Sequence, residues 1–248
     1  MLAAVKQLHL ADGATVLDIA SGPGEPALTL AQALPHLAVV STDALPDMVA
    51  QAQARAHAAA LSNVRCLVAD MTALSAFADG SVDAVTCCYG LMFPADKAKA
   101  LAELHRVLKP GGAVVATHWR QLDLVELGRH VMGAALGLDH PVPLPPHADP
   151  LSLRDPGALD ALATGAGFTV KAAVESTYPF ELGQDQDEQY AMAMLLFKKQ
   201  LDGLDDAAHV RARAAFTGKV HSFAAPSEGG ASQLCIPGNV FVMTTLVK

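Results

Sequence analysis

The chain has 248 residues, room for one large α/β domain with a sizeable core. A composition that is 52 % hydrophobic and 17 % charged, with a formal net charge of −8, argues against a nucleic-acid backbone as partner, because phosphate binding needs basic patches. No stretch approaches the roughly eighteen continuous apolar residues of a membrane span, so none is expected.

Residues 1–12 read as the end of a helix, with Val5, Leu8 and Leu10 apolar, turning at Asp12-Gly13. A strand follows at 15–20. Val16, Leu17 and Ile19 are its apolar run, and Asp18 is a carboxyl inside that run that must find hydrogen bonds. Gly22 and Gly24 form a tight turn that permits positive φ and close approach of backbone to a ligand. Pro26 suits the first turn of a helix expected at 25–34. Then come a strand at 38–42 ending at Asp43, a helix at 46–60 with Met48, Val49, Ala52 and Ala56 on one face, and a strand at 64–68 ending at Ala69-Asp70. A strand at 82–88, a helix at 95–107 and a strand at 113–117 complete the first half, with Lys109-Pro-Gly-Gly112 as the stop and turn between the last two. Glu103, His105 and Arg106 fall on an exposed or edge face of that helix.

The second half is less regular. It reads as a helix at 121–137, a proline-rich loop at 138–157, a short helix to about 164, a strand at 168–180, helices at 187–201 and 205–224, and a final strand at 238–248. Alternating strands and helices predict a parallel sheet covered on both faces. With the two late strands the expectation is a Rossmann-like, seven-stranded, mostly parallel sheet whose last strand is antiparallel, with a helical cap insertion. The chain is expected to be a single domain, 1–248, with a cofactor-binding half at 13–120 and substrate-cap segments at 121–165 and 185–233. Cys66, Cys87, Cys88 and Cys235 show no zinc-type spacing and read as free thiols in a reducing compartment, and no metal site is expected. The opening Met-Leu-Ala-Ala-Val-Lys has no leader pattern, so a cytoplasmic location is expected.

Ligands of such sheets bind beyond the carboxyl ends of the strands. Strand, glycine turn and helix at 15–34 make a nucleotide-binding corner, and two families use one. Gly22-Pro-Gly24-Glu-Pro-Ala27, with Asp43 about twenty residues on, formally fits the dinucleotide fingerprint. Three features pull the other way: Asp18 within the strand, Asp70 ending the third strand, and Leu104-His-Arg-Val-Leu-Lys-Pro-Gly-Gly112 before the fifth.

With Val-Leu-Asp-Ile-Ala-Ser-Gly-Pro-Gly at 16–24, Thr-Asp-Ala-Leu-Pro-Asp-Met at 42–48, Val-Ala-Asp-Met at 68–71, Tyr-Gly-Leu-Met-Phe at 89–93 and Arg-Val-Leu-Lys-Pro-Gly-Gly at 106–112, the sequence resembles the class I S-adenosylmethionine-dependent methyltransferases. It looks most like their small-molecule branch often called type 11, over about residues 13–120. Ala20 stands where many members carry glycine.

The resemblance implies S-adenosylmethionine as cofactor and S-adenosylhomocysteine as product. Asp43 would accept both ribose hydroxyls, with Ala44 beside it. Asp70 would accept from the adenine amine, with Ala69 and Met71 alongside, and Met48 would lie against the adenine face. Ala20, Ser21, Gly22 and Gly24 would lie against the methionine portion, supported by Asp18 and bordered by Cys87. Methyl transfer is an in-line displacement in which positioning alone can supply roughly 7–11 kcal/mol. On the substrate side, His118 is the candidate base and Tyr89 the candidate orienting residue, with Met92, Phe93, Trp119 and Arg120 nearby in sequence. His140, His147, Tyr190 and His221 are more distant candidates. The expected partner is a small-molecule methyl acceptor with an O, N, C or S nucleophile, acted on by a monomer or homodimer. The alternatives are an NAD(P)-dependent oxidoreductase and a non-catalytic cofactor-binding protein of the same fold.

Overall fold

Runs of apolar, largely β-branched residues in the first half form the middle of a seven-stranded sheet. The computed structural model describes residues 1–144, 149–227 and 230–248. In chain order the first half is α1 (Leu2–Lys6), β1 (Thr15–Ile19), α2 (Ala27–Ala33), β2 (Ala38–Asp43), α3 (Pro46–Ala58), β3 (Val64–Val68), β4 (Val82–Cys88), α4 (Lys97–Val107) and β5 (Leu108–Leu122). The second half is α5 (Asp123–Ala135), α6 (Ala158–Gly165), β6 (Thr169–Thr177), β7 (Phe180–Gly183), α7 (Gln186–Ala193), α8 (Lys198–Leu201), α9 (Asp206–Phe223), β8 (Ala225–Ser227), β9 (Gly230–Ile236) and β10 (Asn239–Val247).

The sheet order is β3-β2-β1-β4-β5-β10-β6. Strands β1 to β5 pair in parallel. The end of β10 meets the start of β5, through Gly111 N to Lys248 O and Lys248 N to Gly112 O, so the last strand is antiparallel, as the sequence predicts. Register aligns Leu17 with Val40 and Val85, and Val85 with Val114, giving one apolar row across four strands. On the other face Val16, Val39 and Ala84 form a core with Val5 of α1 and Ala27, Leu30 and Ala31 of α2. Asp18 shares that second face and stands in register with Ser41 and Thr86.

Several boundaries differ from the sequence reading, each for a local reason. The fifth strand runs from Leu108 to Leu122 rather than 113–117. Lys109-Pro-Gly-Gly112 is an excursion within it: between two register points, three residues of β4 face six of β5, and Gly111 takes φ +77. The expected strand at 168–180 divides, because Pro179 has no N–H to donate to a ladder. The helix expected at 187–201 breaks over 194–197, where Met194 and Phe197 turn inward and Leu195 and Leu196 stay exposed. A second sheet, β7-β9-β8, was not foreseen. Its strands β8 and β9 carry one β-branched residue between them, Ile236, and so give almost no strand signal.

The chain divides into two compact units. The first holds Met1–His118, Pro150–Glu175 and Val242–Lys248, and thus the sheet's parallel strands and the short helix α6. Residues 150–165, read from sequence as cap, fall within it. The second holds Trp119–Asp149 and Ser176–Phe241 and has its own core of Leu127, Val131, Met132, Phe197, Phe216 and their neighbours. Within it Trp119 packs against Phe180 and Phe241, and Arg211 Nη2 donates to Ala135 O at the end of α5. No described helix is long and apolar enough to cross a membrane.

Phe216 lies fully inside that second core, edge-on to Tyr190 at 5.5 Å between ring centres. Phe216→Ala is expected to cost about 3–5 kcal/mol through lost burial and the cavity left behind. Urea denaturation followed by near-ultraviolet circular dichroism measures it, and a loss below about 1 kcal/mol would mean that this core is not close-packed.

Candidate functional site

The carboxyl ends of β1, β2, β3 and β4 surround a cavity of about 450 Å³, within the size range of small-molecule sites. Ala20 comes from the end of β1; Asp43, Ala44 and Leu45 follow β2; Ala69, Asp70 and Met71 follow β3; Tyr89, Gly90, Phe93 and Pro94 follow β4. Among the described residues, no lysine, arginine or histidine lines it.

The glycine turn is fixed from within. Ser21 N donates to Thr42 O (2.9 Å), and its hydroxyl is 2.6 Å from that of Ser41. Gly22 N donates to Asp43 Oδ2 (2.9 Å), Gly24 N and Glu25 N to Ser21 O (2.9 and 3.0 Å), Ala27 N to Asp18 Oδ2 (3.0 Å), and Leu28 N to Gly24 O (2.8 Å). Residues 23 and 26 are prolines. From 21 to 28 every amide N–H is therefore spent inside the protein. Gly24 has φ +108, and a Cβ there would lie 2.8 Å from Leu28 Cδ1, so only glycine fits.

Asp18 is fully buried and also accepts from Thr86 Oγ1 at 2.6 Å, while its own carbonyl accepts from Thr42 Oγ1. Burial raises its pKa to about 7, against the hydrogen bonds from Thr86 and Ala27, which favour the anion. It thus braces β1, α2 and β4 behind the cavity and does not line it. Ser21, Gly22 and Gly24 likewise form the turn without lining the cavity.

Asp43 is half-buried at the end of β2. Its Oδ2 takes the Gly22 amide and its Oδ1 the Leu45 amide, both at 2.9 Å. A carboxylate offers about four lone-pair positions, so each oxygen keeps one for a ligand hydroxyl. Asp70 is exposed; its Oδ1 takes Thr72 N (2.8 Å) and Thr72 Oγ1 (2.9 Å), which shapes the turn carrying Met71. Ala69 N donates to Asp43 O, so the two acidic turns are joined through backbone. Met48 sits half-buried on α3 and is not part of the lining, whereas its neighbour Leu45 is.

Ala20 and Tyr89 take φ +51 and +55, a region that costs side-chain-bearing residues free energy. Tyr89 N donates to Thr117 O (3.1 Å). Gly90 is the counterpart of Ala20: a Cβ on Gly90 would stand 2.6 Å from Ala20 Cβ and 2.7 Å from Cys87 Sγ. Cys87 is buried on β4, where burial raises its thiol far above the ordinary range and keeps it protonated. Tyr89 lines the cavity; His118 is buried on β5 and does not line it. Trp119 is buried, Arg120 exposed, and His140 and His221 are exposed. His147 lies outside the described residues. The sequence reading missed Leu45, Gly90 and Pro94; the one usable signal was their position just after strand ends. Among the described residues, no group of His, Cys, Asp and Glu could hold a metal ion.

Residues 16–112 match a family model described as a methyltransferase domain. A demethylmenaquinone methyltransferase of Thermus thermophilus is 48 % identical over 100 residues, which cover 40 % of this chain and 44 % of that protein. A ubiquinone/menaquinone biosynthesis C-methyltransferase of Geotalea uraniireducens is 36 % identical over 114 residues, covering 45 % of this chain and 48 % of that protein. The chain thus spans less than half the length of these curated relatives. Among solved structures, the YcgJ protein of Bacillus subtilis superposes with a TM-score of 0.63 at 21 % identity, covering 100 % of this chain and 97 % of that one, a likeness of fold. Phosphoethanolamine N-methyltransferase 2 of Haemonchus contortus, solved with S-adenosyl-L-methionine, gives 0.55 at 19 %, covering 100 % and 51 %. Residues 16–112 thus match a methyltransferase domain, set in a chain whose fold is shared with solved methyltransferases.

Asp18 yields a prediction with a definite sign. A carboxyl whose folded pKa lies above its unfolded value of 3.8 contributes stability below pH 3.8 and loses it as pH rises through about 7. Asp18→Asn keeps both partners, because the Thr86 hydroxyl can accept from the amide as readily as it donates to the carboxylate. The melting temperature of the variant relative to the native protein is therefore expected to rise steadily between pH 5 and pH 8. A difference that stays constant over that range would place the Asp18 titration elsewhere.

Proposed function

We propose that the chain transfers the methyl group of S-adenosylmethionine to a small-molecule acceptor. The observation that carries this reading is the closed glycine turn beside two acids. A dinucleotide needs free amides at the turn and helix N-terminus for its pyrophosphate. Here the amides of 21–28 are all engaged, and the helix-start amide of Ala27 is held by a carboxyl of the protein itself. A ligand carrying ribose hydroxyls, an adenine amine and positive charge meets acceptors instead.

The residues fit that cofactor. Asp43 binds the ribose hydroxyls through the lone pair left on each oxygen, as charge-assisted bonds. Asp70 and the Met71 amide receive the adenine edge, with Leu45 and Met71 giving apolar contact to its faces. Ala20 and Gly90 leave the floor narrow enough for backbone to meet the methionine portion. S-adenosylmethionine, when bound, supplies a methyl group on a sulfonium, ready for displacement. The chain's own part is to hold donor and acceptor in line and keep water out. Tyr89, at the cavity wall, is assigned to orienting the acceptor. The curated relatives are named for demethylmenaquinone and for ubiquinone/menaquinone C-methylation, which makes a hydroxylated quinol ring the first acceptor to test.

Calorimetry with S-adenosylhomocysteine and with NADH separates the readings: binding of the first and none of the second is expected, and the reverse would sink the proposal. Asp43→Ala is expected to weaken S-adenosylhomocysteine binding at least tenfold, about 1.4 kcal/mol or more. Unchanged affinity would mean that the ribose lies elsewhere.

A further inference from the structure

The connection from β3 to β4 spans residues 69–81 and contains no helix. Parallel strands are usually joined by a crossover whose helix satisfies its own backbone. This one buries only two apolar anchors, Leu74 and Phe77, and leaves its remaining carbonyls and amides to find partners. It finds them on α4. The Arg106 guanidinium donates through all five N–H positions: Nε and Nη2 to the two oxygens of Glu103 (2.8 Å each), Nη2 also to Leu74 O (3.0 Å), and Nη1 to Phe77 O (2.9 Å) and Asp79 Oδ1 (2.7 Å). Glu103 Oε2 also accepts from Leu74 N at 2.7 Å. Leu74 is thus held at both its amide and its carbonyl. The clamp is completed by Gly80 N to Arg106 O and Ser81 N to Val107 O.

Leu74 directly follows the turn that carries the adenine-side acid. Ala73 N donates to Asp70 O at 2.9 Å, and Asp70 Oδ1 takes Thr72, so 70–73 is one tight unit ending at the clamped residue. We propose that Glu103 and Arg106 are positioning residues for the adenine end of the cavity: by fixing 74–79 they hold Asp70 and Met71 at the cavity rim. This rests on the function proposed above. The geometry needs a fork. Only a planar guanidinium can reach two backbone carbonyls and two carboxylates at once, so lysine, with the same charge, should not replace it. The contact with Asp79 is largely exposed and counts for little beside those to the backbone carbonyls. Hydrogen bonding from Arg106 holds the Glu103 carboxyl below its ordinary range, so the pair stays ionised at neutral pH.

The test uses the full chain with Arg106→Lys and, as a milder variant, Glu103→Gln. Two measurements are made: amide hydrogen exchange, and calorimetric affinity for S-adenosylhomocysteine and for its deaminated 6-oxo analogue. Exchange is expected to speed up about tenfold or more over 72–80 while 20–24 keep their native rates. The preference for adenine over the 6-oxo base is expected to shrink by about tenfold, the worth of one well-placed hydrogen bond. Equal weakening toward both nucleosides with the preference intact would make the pair merely structural and overturn the proposal; so would native exchange over 72–80. Failure of the native protein to bind either nucleoside would overturn the functional reading, and the adenine assignment with it. Normal binding by the native protein with an unmoved preference in the variants overturns this proposal alone.

Discussion

A carboxyl with no exposure to water sits between a helix start and a strand, and the rest of the site follows from how it is satisfied. Asp18 cannot be left bare, because an unpaired buried carboxyl costs several kcal/mol at the least. It takes the first amide of α2 and the Thr86 hydroxyl, and so fixes the distance between β1, α2 and β4. Once Ala27 N is taken, the helix N-terminus no longer offers itself to an anion. The remaining amides of the turn go to Thr42, Ser21, Gly24 and Asp43. What looks in outline like a phosphate cradle is therefore a closed wall.

That closure moves the polar recognition to the next two strands. Asp43 holds the turn through Gly22 and its own strand end through Leu45, which orients the carboxylate without exhausting it. The floor between is made by two residues in the left-handed region, Ala20 and Tyr89, at an order of 1–2 kcal/mol each. Neighbouring ladder bonds over-determine both: Ser21 N to Thr42 O, and Tyr89 N to Thr117 O. Alanine at position 20 has a direct consequence, because its Cβ leaves no room for another on the facing residue, which is Gly90.

The central strands were legible because each is a short apolar run ended by a turn former or an acid; β3 and β4 fall on the residues expected. The place of Asp43 and Asp70 at the cavity was legible for the same reason, since both stand at strand ends of a parallel sheet. The three-stranded sheet of the second unit was not, because Ala-Pro-Ser and Gly-Ala-Ser-Gln-Leu-Cys-Ile carry neither alternation nor β-branched weight and pair only through tertiary contact. Arg106 reads from sequence only as a residue on an exposed or edge face of its helix. Three of its partners lie 27 to 32 positions away on a stretch with no periodicity, and no local signal connects them.

Asp18 and the Glu103–Arg106 pair solve one problem in two dielectric settings. Each lends a side chain to backbone groups that regular structure leaves open. Asp18 does so in full burial, where its charge is disfavoured and its protonation sits near neutrality. Glu103 and Arg106 do so at the half-exposed edge of α4, where water shares the load and both stay charged. For Glu103 the folded pKa lies below the unfolded one, so its contribution holds above the carboxylate range and fades only as pH falls through it. The two ends of one cavity therefore respond oppositely to acid. Burial of Asp18 weighs against the fold as pH rises through its titration, and the turn beside Asp70 is firmest when Glu103 is ionised. Near neutral pH the Glu103 side is at full strength while Asp18 lies within its titration, so the turn beside Ala20 is where small changes in local charge have leverage.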